Sequence, residues 1–174
     1  VFFVGTDNEG LSWFCESDQG WQPENADKTI LLFHGYRSIA KNDFSCAISM
    51  YSSFNMNIIL IDQRAHGLSE GRVISFGANE HLDCLAWVNF MVSHFGSDVR
   101  IILCGISMGA STVMLASSLD LPENVVGVLA DCGYSSAEDI IKKVIRDIKL
   151  PVWLVILSLS MISMSLSATP LLTQ

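Results

Sequence analysis

Residues 100–119, RIILCGISMGASTVMLASSL, hold the pattern that decides the fold. The run 100–104 is apolar and β-type, which predicts a short buried strand, and residues 110–119 are small and apolar, which predicts a helix. Between them, GISMG at 105–109 is a GxSxG motif in the turn from strand to helix. Such a turn exposes its serine above the sheet in a strained backbone conformation, and only very small residues fit two positions away on either side.

This motif provides the parts of a nucleophilic site. Ser107 is the candidate nucleophile, and Gly105 and Gly109 are the small residues that flank it. The amide of Met108 and the N-terminus of the following helix favour negative charge that develops on a bound carbonyl oxygen. The alternative interpretation is a serine in a tight turn that does no chemistry.

A second motif, HGYR, follows the predicted strand 29–33. Acyl transfer needs a second backbone donor for the oxyanion, and the loop after this strand is where such folds supply it. We therefore predict that the amide of Tyr36 is this donor and that Gly35 supports the loop. We interpret His34 as a structural histidine that braces the loop rather than as a base.

A third motif, DQRAHGLSEG, begins at Asp62, directly after the predicted strand 57–61. We predict an ion pair between Asp62 and Arg64 that shapes this loop. Gly67 is expected to allow a positive φ angle there, because it carries no Cβ. We interpret His66 as structural rather than catalytic.

Along the chain, short apolar runs alternate with helical patterns, which predicts an α/β fold with a mostly parallel sheet and helices on both faces. The predicted strands are 29–33, 57–61, 100–104 and 125–130, preceded by one or two strands within residues 1–16. The predicted helices are 43–54, 78–95, 110–119 and 135–148, the last with Ser135 and Glu138 spaced as a capping box. The polar residues 18–28 predict a loop.

The composition limits the class of protein. The 174 residues are 50% apolar with a mean hydropathy of +0.40, which suits one domain with a buried core and excludes a disordered polymer. A net charge of −8 without a basic cluster argues against binding to nucleic acid. The phosphate-binding motifs GxxxxGK[ST] and GxGxxG do not occur at the strand–helix junctions, which argues against a nucleotide-binding protein.

The five cysteines bear on metals and on compartment. They are widely spaced and include no CxxC pair, so we predict no metal site and no cofactor. Free buried thiols in a reducing compartment suit this pattern, which favours a cytoplasmic protein. The sequence begins with Val1 rather than Met, so a removed signal or anchor stays open.

Taken together, LLFHGY, DQRAHGLSEG, GISMGAS and ADCGY, in this order and spacing, resemble the α/β-hydrolase family. The nearest likeness is to the bacterial branch of esterases and serine-aminopeptidase-like members, and it covers residues 11–148. The resemblance implies the α/β-hydrolase fold and serine hydrolase chemistry. It also implies that Ser107 is the nucleophile and that Tyr36 and Met108 donate to the oxyanion.

The chain departs from the family in its catalytic triad. The family orders its triad as serine, acid and then histidine, whereas all four histidines here (His34, His66, His81 and His94) precede Ser107. Asp131, at the end of the last predicted strand, is a candidate acid only in a variant arrangement. The resemblance therefore implies that the base, and the usual acid, lie outside these 174 residues, together with the C-terminal strands of the fold.

We expect a core at residues 1–149 and an apolar tail at 150–174, at the position of the family's lid region. The tail has no charged residue and is long enough to cross a bilayer, and basic residues precede it. Serines interrupt its apolar run, so a membrane contact is possible but not favoured over a lid segment. Exposed apolar surface on the tail would promote self-association of the chain.

The sequence thus favours a serine hydrolase that cleaves an ester, thioester or amide through an acyl-enzyme on Ser107. Its partner would be a small-molecule, acyl or peptidyl substrate. The alternative is a non-catalytic or truncated hydrolase-fold module that acts through its apolar tail.

Overall fold

The computed structural model describes residues 2–6, 12–16 and 28–147. Its strands are β1 (Phe2–Thr6), β2 (Ser12–Glu16), β3 (Lys28–Phe33), β4 (Met56–Ile61), β5 (Ile101–Ile106) and β6 (Val125–Asp131). Its helices are α1 (Ala40–Phe44), α2 (Ile48–Ser53), α3 (Glu80–Phe95), α4 (Met108–Ala116) and α5 (Ala137–Asp147).

The strands form one mixed sheet in the order β1-β2-β4-β3-β5-β6. Strands β4, β3, β5 and β6 run parallel, and β1 and β2 extend the sheet in antiparallel fashion. The predicted α/β class and all four predicted internal strands are confirmed. The two leading strands are confirmed as well, whereas their turn and residues 18–27 lie outside the described part of the chain.

Helices cover both faces of the parallel strands, as predicted. Alternate strand residues point to opposite faces, so the sheet supplies two separate apolar cores. One core joins the sheet to α3 and α4 through Leu31, Phe33, Ile59, Ile61, Trp87, Met91, Leu103 and Val113. The other joins it to α1 through Ile30, Leu32, Ala40, Phe44, Ile58 and Leu60, with Ile48 and Tyr51 of α2 packed against it.

The predicted continuous helix 43–54 is wrong. The segment forms two short helices, α1 and α2, with a turn at 45–47. In that turn the Ser45 hydroxyl donates to the Asn42 carbonyl oxygen at 3.2 Å, and the Ala47 amide donates to the Phe44 carbonyl oxygen at 2.9 Å. Local bonds of this kind replace the regular helical ladder.

Helix α3 turns only one of its faces toward the sheet. Leu82 is 51% exposed, and the face toward the sheet carries Cys84, Trp87 and Met91. Residues 82 and 84 are about 200° apart around a helix, so they cannot share a face.

Helix α5 begins differently from the predicted capping box at Ser135 and Glu138. The hydroxyl of Ser136, one residue later, accepts the amide of Asp139 at 3.2 Å. The cap is therefore displaced by one residue, and Asp139 takes the third position of the helix.

The chain divides into a unit of residues 1–135, which contains the sheet, and a second unit that begins at Ser136. The apolar tail at 150–174 lies outside the described residues. Within the described part, no helix is long and apolar enough to cross a membrane.

The cysteine prediction is right in part. Cys84 and Cys104 are buried, and burial raises the pKa of both thiols. Cys46 and Cys132 are exposed, contrary to the expectation of buried thiols. All four of these cysteines are free.

Candidate active site

Ser107 occupies a strained turn between β5 and α4. Its φ is 54° and its ψ is −111°, a combination that non-glycine residues rarely adopt. The Ser107 amide donates to the carbonyl oxygen of Asp131 in β6 at 2.8 Å, and its carbonyl oxygen accepts the amide of Ser111 at 3.1 Å. Both backbone groups are therefore engaged, which fixes the turn from both sides.

The flanking glycines fit this turn because there is no room for a side chain. A Cβ on Gly105 would lie 2.2 Å from the carbonyl carbon of Gly109, and a Cβ on Gly109 would lie 1.9 Å from the carbonyl oxygen of Phe33. Helix α4 therefore begins directly against the end of β3. This contact brings the loop after β3 toward Ser107.

Gly35 in that loop lies beside the candidate nucleophile. A Cβ on Gly35 would be 3.5 Å from the Cβ of Ser107. The Gly35 amide donates to Asp43 Oδ2 at 2.7 Å, and the Ser38 hydroxyl donates to Asp43 Oδ1 at 2.6 Å. Asp43, which sequence reasoning missed, therefore ties this loop to α1.

The two predicted oxyanion donors belong to these adjoining segments. Tyr36 directly follows Gly35, and Met108 is the first residue of α4. The first amides of a helix have no acceptor within the helix, so the Met108 amide is available to a ligand. The side chain of Met108 is buried, whereas Tyr36 is 40% exposed and packs against Phe76.

His34 is fully buried, and both of its ring nitrogens are hydrogen-bonded to the backbone. Nε2 accepts the amide of Gln63 at 3.0 Å, so Nδ1 carries the proton and donates to the carbonyl oxygen of Gly35 at 2.7 Å. Burial, aided by nearby His66, lowers the pKa of His34 against the opposing effect of the Gly35 bond. The ring is a neutral brace between the loops after β3 and β4.

His66 is also fully engaged. Its Nε2 accepts the amide of Arg37 at 3.1 Å, and its Nδ1 lies 2.9 Å from the carbonyl oxygen of Arg64. The ring packs edge-on against His34, with centroids 4.8 Å apart. On α3, His81 Nδ1 bonds the carbonyl oxygen of Gly77, and His94 stacks on Phe90.

The predicted ion pair between Asp62 and Arg64 is wrong. Arg64 binds the carboxylate of Asp83 on α3 with two guanidinium nitrogens, and Asp62 accepts the amides of Ala40 at 3.1 Å and Leu68 at 3.3 Å. A carboxylate that accepts two amides is satisfied without a cation. The predicted positive φ at Gly67 is confirmed at 54°.

Gln63 is a central residue that sequence reasoning missed. Its Nε2 donates to the carbonyl oxygen of His34 at 2.6 Å, and its Oε1 accepts the hydroxyl of Thr112 at 2.8 Å. The buried amide thus links the loops after β3 and β4 to α4. It holds α4, the helix that follows Ser107, in register with the loop that carries Tyr36.

Glu80, at the start of α3, is a second residue that the sequence reasoning missed. Its buried carboxylate accepts the hydroxyl of Ser75 at 2.6 Å and the amides of Ser75 and Gly77 at 2.8 and 2.7 Å. Burial alone would raise the pKa of Glu80, but these hydrogen bonds outweigh it and lower the pKa. The ionised carboxylate therefore holds loop 75–77 in place.

Replacing Glu80 with glutamine is expected to destabilise the fold by about 1–3 kcal/mol near neutral pH, since the amide cannot accept all three bonds. The folded-state pKa of Glu80 lies below the ordinary value of 4.5. Its stabilisation is therefore present above that pH and is lost as the pH falls through the folded-state pKa. Urea unfolding of wild type and Glu80→Gln at about pH 7 and about pH 3 measures the difference.

The exposed Glu70 provides the matched control, and Glu70→Gln should change the free energy of unfolding by less than about 0.5 kcal/mol. The assigned role would be contradicted if Glu80→Gln did not lower the free energy of unfolding at neutral pH, or if it lowered this free energy equally in acid.

Asp131, the candidate acid, lies at the exposed end of β6. Its Oδ1 accepts the thiol of Cys132 at 3.1 Å. Nearby, the Ser111 hydroxyl bonds both the amide and the carbonyl oxygen of Tyr134 at 2.8 Å, which ties the segment after β6 to α4. Within the described residues, no group of three or more His, Cys, Asp or Glu is arranged to hold a metal ion.

Comparisons with known proteins show the family and the fold of the chain. A family model described as serine aminopeptidase, S33, matches residues 24–158. The uncharacterized protein YqkD of Bacillus subtilis (strain 168) is 25% identical over 132 residues, which are 75% of this chain and 43% of that protein.

Solved structures show the same fold. The Pyrococcus furiosus esterase Pf2001 is 28% identical with a TM-score of 0.63, over 76% of this chain and 51% of the esterase. In another crystal form the identity is 25% and the TM-score 0.67, over 88% and 58%. A predicted CIB-like hydrolase from Thermoplasma acidophilum, 21% identical, has a TM-score of 0.55 over 76% of this chain and 63% of that one. The chain therefore spans about half the length of the first relatives it matches.

Proposed function

Because this chain belongs to the serine aminopeptidase S33 family of α/β-hydrolases, we propose that it is a serine hydrolase that forms an acyl-enzyme on Ser107. The observation that carries the proposal is the strained Ser107 turn, with Gly35 packed beside it. Strain of this kind persists in proteins where the surrounding structure enforces it, and it is concentrated at active sites. The substrate would be a small-molecule or peptidyl ester, thioester or amide.

In this mechanism the Ser107 hydroxyl oxygen attacks the carbonyl carbon of the substrate, and its proton passes to a general base. The amides of Tyr36 and Met108 donate to the oxyanion that forms. Collapse of this intermediate releases the alcohol, thiol or amine, which takes up the proton, and leaves the acyl group on Ser107. Water then adds by the same route and releases the carboxylic acid.

We propose that the general base comes from outside these residues. The neutral ring of His34 and the ring of His66 each use both nitrogens in contacts to the backbone. Taking a proton from Ser107 would require either ring to break a bond that holds the loops. The family order of serine, acid and then histidine supports a base that follows Ser107 in the chain.

Because His34 and His66 both use their ring nitrogens in backbone contacts, a second candidate function is a non-catalytic module that acts through residues 150–174. Reaction with a fluorophosphonate in the presence of imidazole, which supplies an external base, separates the two functions. Mass spectrometry should find the adduct on the peptide that contains Ser107. An adduct found only on other residues, or no adduct, would favour the non-catalytic module.

Self-association of these 174 residues is a further proposal. Strand β6 is the last strand of the described sheet, and its Val126, Val128 and Leu129 are 43%, 37% and 51% exposed. An exposed apolar edge strand favours pairing with another molecule. Light scattering should therefore show assemblies larger than a monomer, and detergent should reduce them.

Leu129→Lys should shift this equilibrium toward the monomer, because a charge on an edge strand opposes edge-to-edge pairing. The matched control is Leu82→Lys, since Leu82 on α3 has the same exposure of 51%. A monomer that is independent of detergent would contradict the proposal. An equal response to both lysines would show that β6 is not the contact.

A further inference from the structure

Phe76 adopts a left-handed backbone conformation, which is unfavourable for an aromatic residue. Its φ is 53°, and the next residue, Gly77, has a φ of 101°. The Phe76 ring packs against the ring of Tyr36 with centroids 5.0 Å apart and a tilt of 39°. The strained backbone thus places the Phe76 ring against Tyr36, whose amide is proposed to bind the oxyanion.

We propose that Tyr36 and Phe76 form an aromatic wall that selects substrates with an aromatic group next to the scissile carbonyl. This inference rests on the proposed function, since it takes the Tyr36 amide to be an oxyanion donor. It adds a substrate class, namely esters, thioesters or amides of aryl-substituted acids such as arylacetic acids.

The loop that carries Phe76 is held firmly. The Glu80 carboxylate accepts the amides on both sides of Phe76, those of Ser75 and Gly77, at 2.8 and 2.7 Å. A Cβ on Gly77 would lie only 2.8 Å from Leu115 Cδ1, so the loop also packs directly on α4. These contacts compensate the strain and fix the direction in which the Phe76 ring leaves the backbone.

The backbone that leads into the wall lies next to Ser107. Gly35, whose Cβ position is 3.5 Å from Ser107 Cβ, directly precedes Tyr36. Tyr36 therefore carries both the aromatic ring and the amide that is proposed to bind the carbonyl oxygen of the substrate. Tyr36 is 40% exposed even with Phe76 packed on it, so the residue is accessible to a ligand.

An aromatic ligand would gain from stacking on these rings beyond simple burial of apolar surface. Phenylacetate and acetate are suitable probes, because they carry the same carboxylate and differ in the aromatic group. NMR titration of the 174-residue chain is expected to give phenylacetate about 3- to 10-fold tighter binding than acetate. Phe76→Ala should remove most of this preference.

Three variants keep the inference falsifiable. Phe76→Tyr retains an aromatic ring and should keep the preference for phenylacetate. Phe76→Leu retains an apolar side chain of similar size without a ring and should lose the preference. These two variants decide the question if Phe76→Ala does not fold. Val73→Ala, at an apolar position of the same loop that is 66% exposed, is the matched control and should bind like wild type. Wild type without a preference, or a preference that survives in Phe76→Leu, would overturn the inference.

Fluorophosphonate labelling tests the proposed function separately. Labelling at Ser107 without any preference for phenylacetate would leave the serine hydrolase standing and would overturn the aromatic wall. A Phe76-dependent preference without labelling at Ser107 would overturn the proposed chemistry and would show the wall to be a binding surface only.

Discussion

In the presence of imidazole as an external base, Ser107→Ala should lower the rate of fluorophosphonate labelling by about 10- to 100-fold, to the background rate of other hydroxyl groups. The reason is chemical, because alanine has no oxygen that can attack the phosphorus atom. The measurement is the labelling rate of folded protein, with intact mass confirming one adduct per chain.

Imidazole strengthens this experiment. With the rings of His34 and His66 bonded to the backbone, wild type should react slowly without added base. An external base that accepts the serine proton should accelerate the reaction about 10- to 100-fold. Ser107→Ala should show no acceleration, because there is no proton to transfer.

Ser117→Ala is the matched control for this loss. Ser117 follows the same helix, is exposed, and donates its hydroxyl to the carbonyl oxygen of Met114 at 2.6 Å. It should label like wild type. Labelling that survives in Ser107→Ala, or that falls equally in Ser117→Ala, would refute Ser107 as the nucleophile.

The parts of the fold that sequence predicts best are those set by local pattern. Strands β3, β4 and β5 are continuous apolar runs because both of their faces are buried, and such runs are visible in the sequence alone. Strand β5 continues to Ile106, so it leads directly into Ser107. The GxSxG spacing likewise predicts a strained backbone at Ser107, whose φ is 54°.

Two of the contacts that sequence reasoning missed join residues that are far apart in the chain. Gln63 and Thr112 are 49 positions apart, and Arg64 and Asp83 are 19 apart. Spacing identifies a charged residue but not its partner. It therefore pairs Arg64 with the nearest acid in the sequence, Asp62. Pairing of this kind is decided by which elements the sheet brings together.

One signal in the sequence did point to two of the missed contacts. Glu80 and Asp83 fall on the same helical stripe as Cys84 and Trp87, which form the buried face of α3. A carboxylate within an apolar stripe must have a partner, because an unpaired buried charge is too costly. That pattern predicts that both carboxylates accept hydrogen bonds in the interior, although it does not identify the loop or the cation that donates them.

Gly109→Ala is expected to have the largest effect on stability, a loss of about 3 kcal/mol or more. The added methyl group would lie 1.9 Å from the carbonyl oxygen of Phe33 and 2.8 Å from that of His34. Both atoms belong to backbone that the sheet and the His34 brace hold in place. The overlap can be relieved only by moving α4 away from β3, which would also separate Ser107 from the loop that carries Tyr36.

Gly127→Ala provides the control for the glycine-to-alanine change itself. A Cβ on Gly127, in β6, would meet no atom within 4 Å, so alanine should be neutral or stabilising by about 0.5–1 kcal/mol. Urea unfolding of both variants at low protein concentration compares them directly. Because the proposed site depends on contact between α4 and the end of β3, Gly109→Ala should lose Ser107 labelling together with stability. A stable, fully labelled Gly109→Ala would show that the close approach of helix and strand is not what positions the nucleophile.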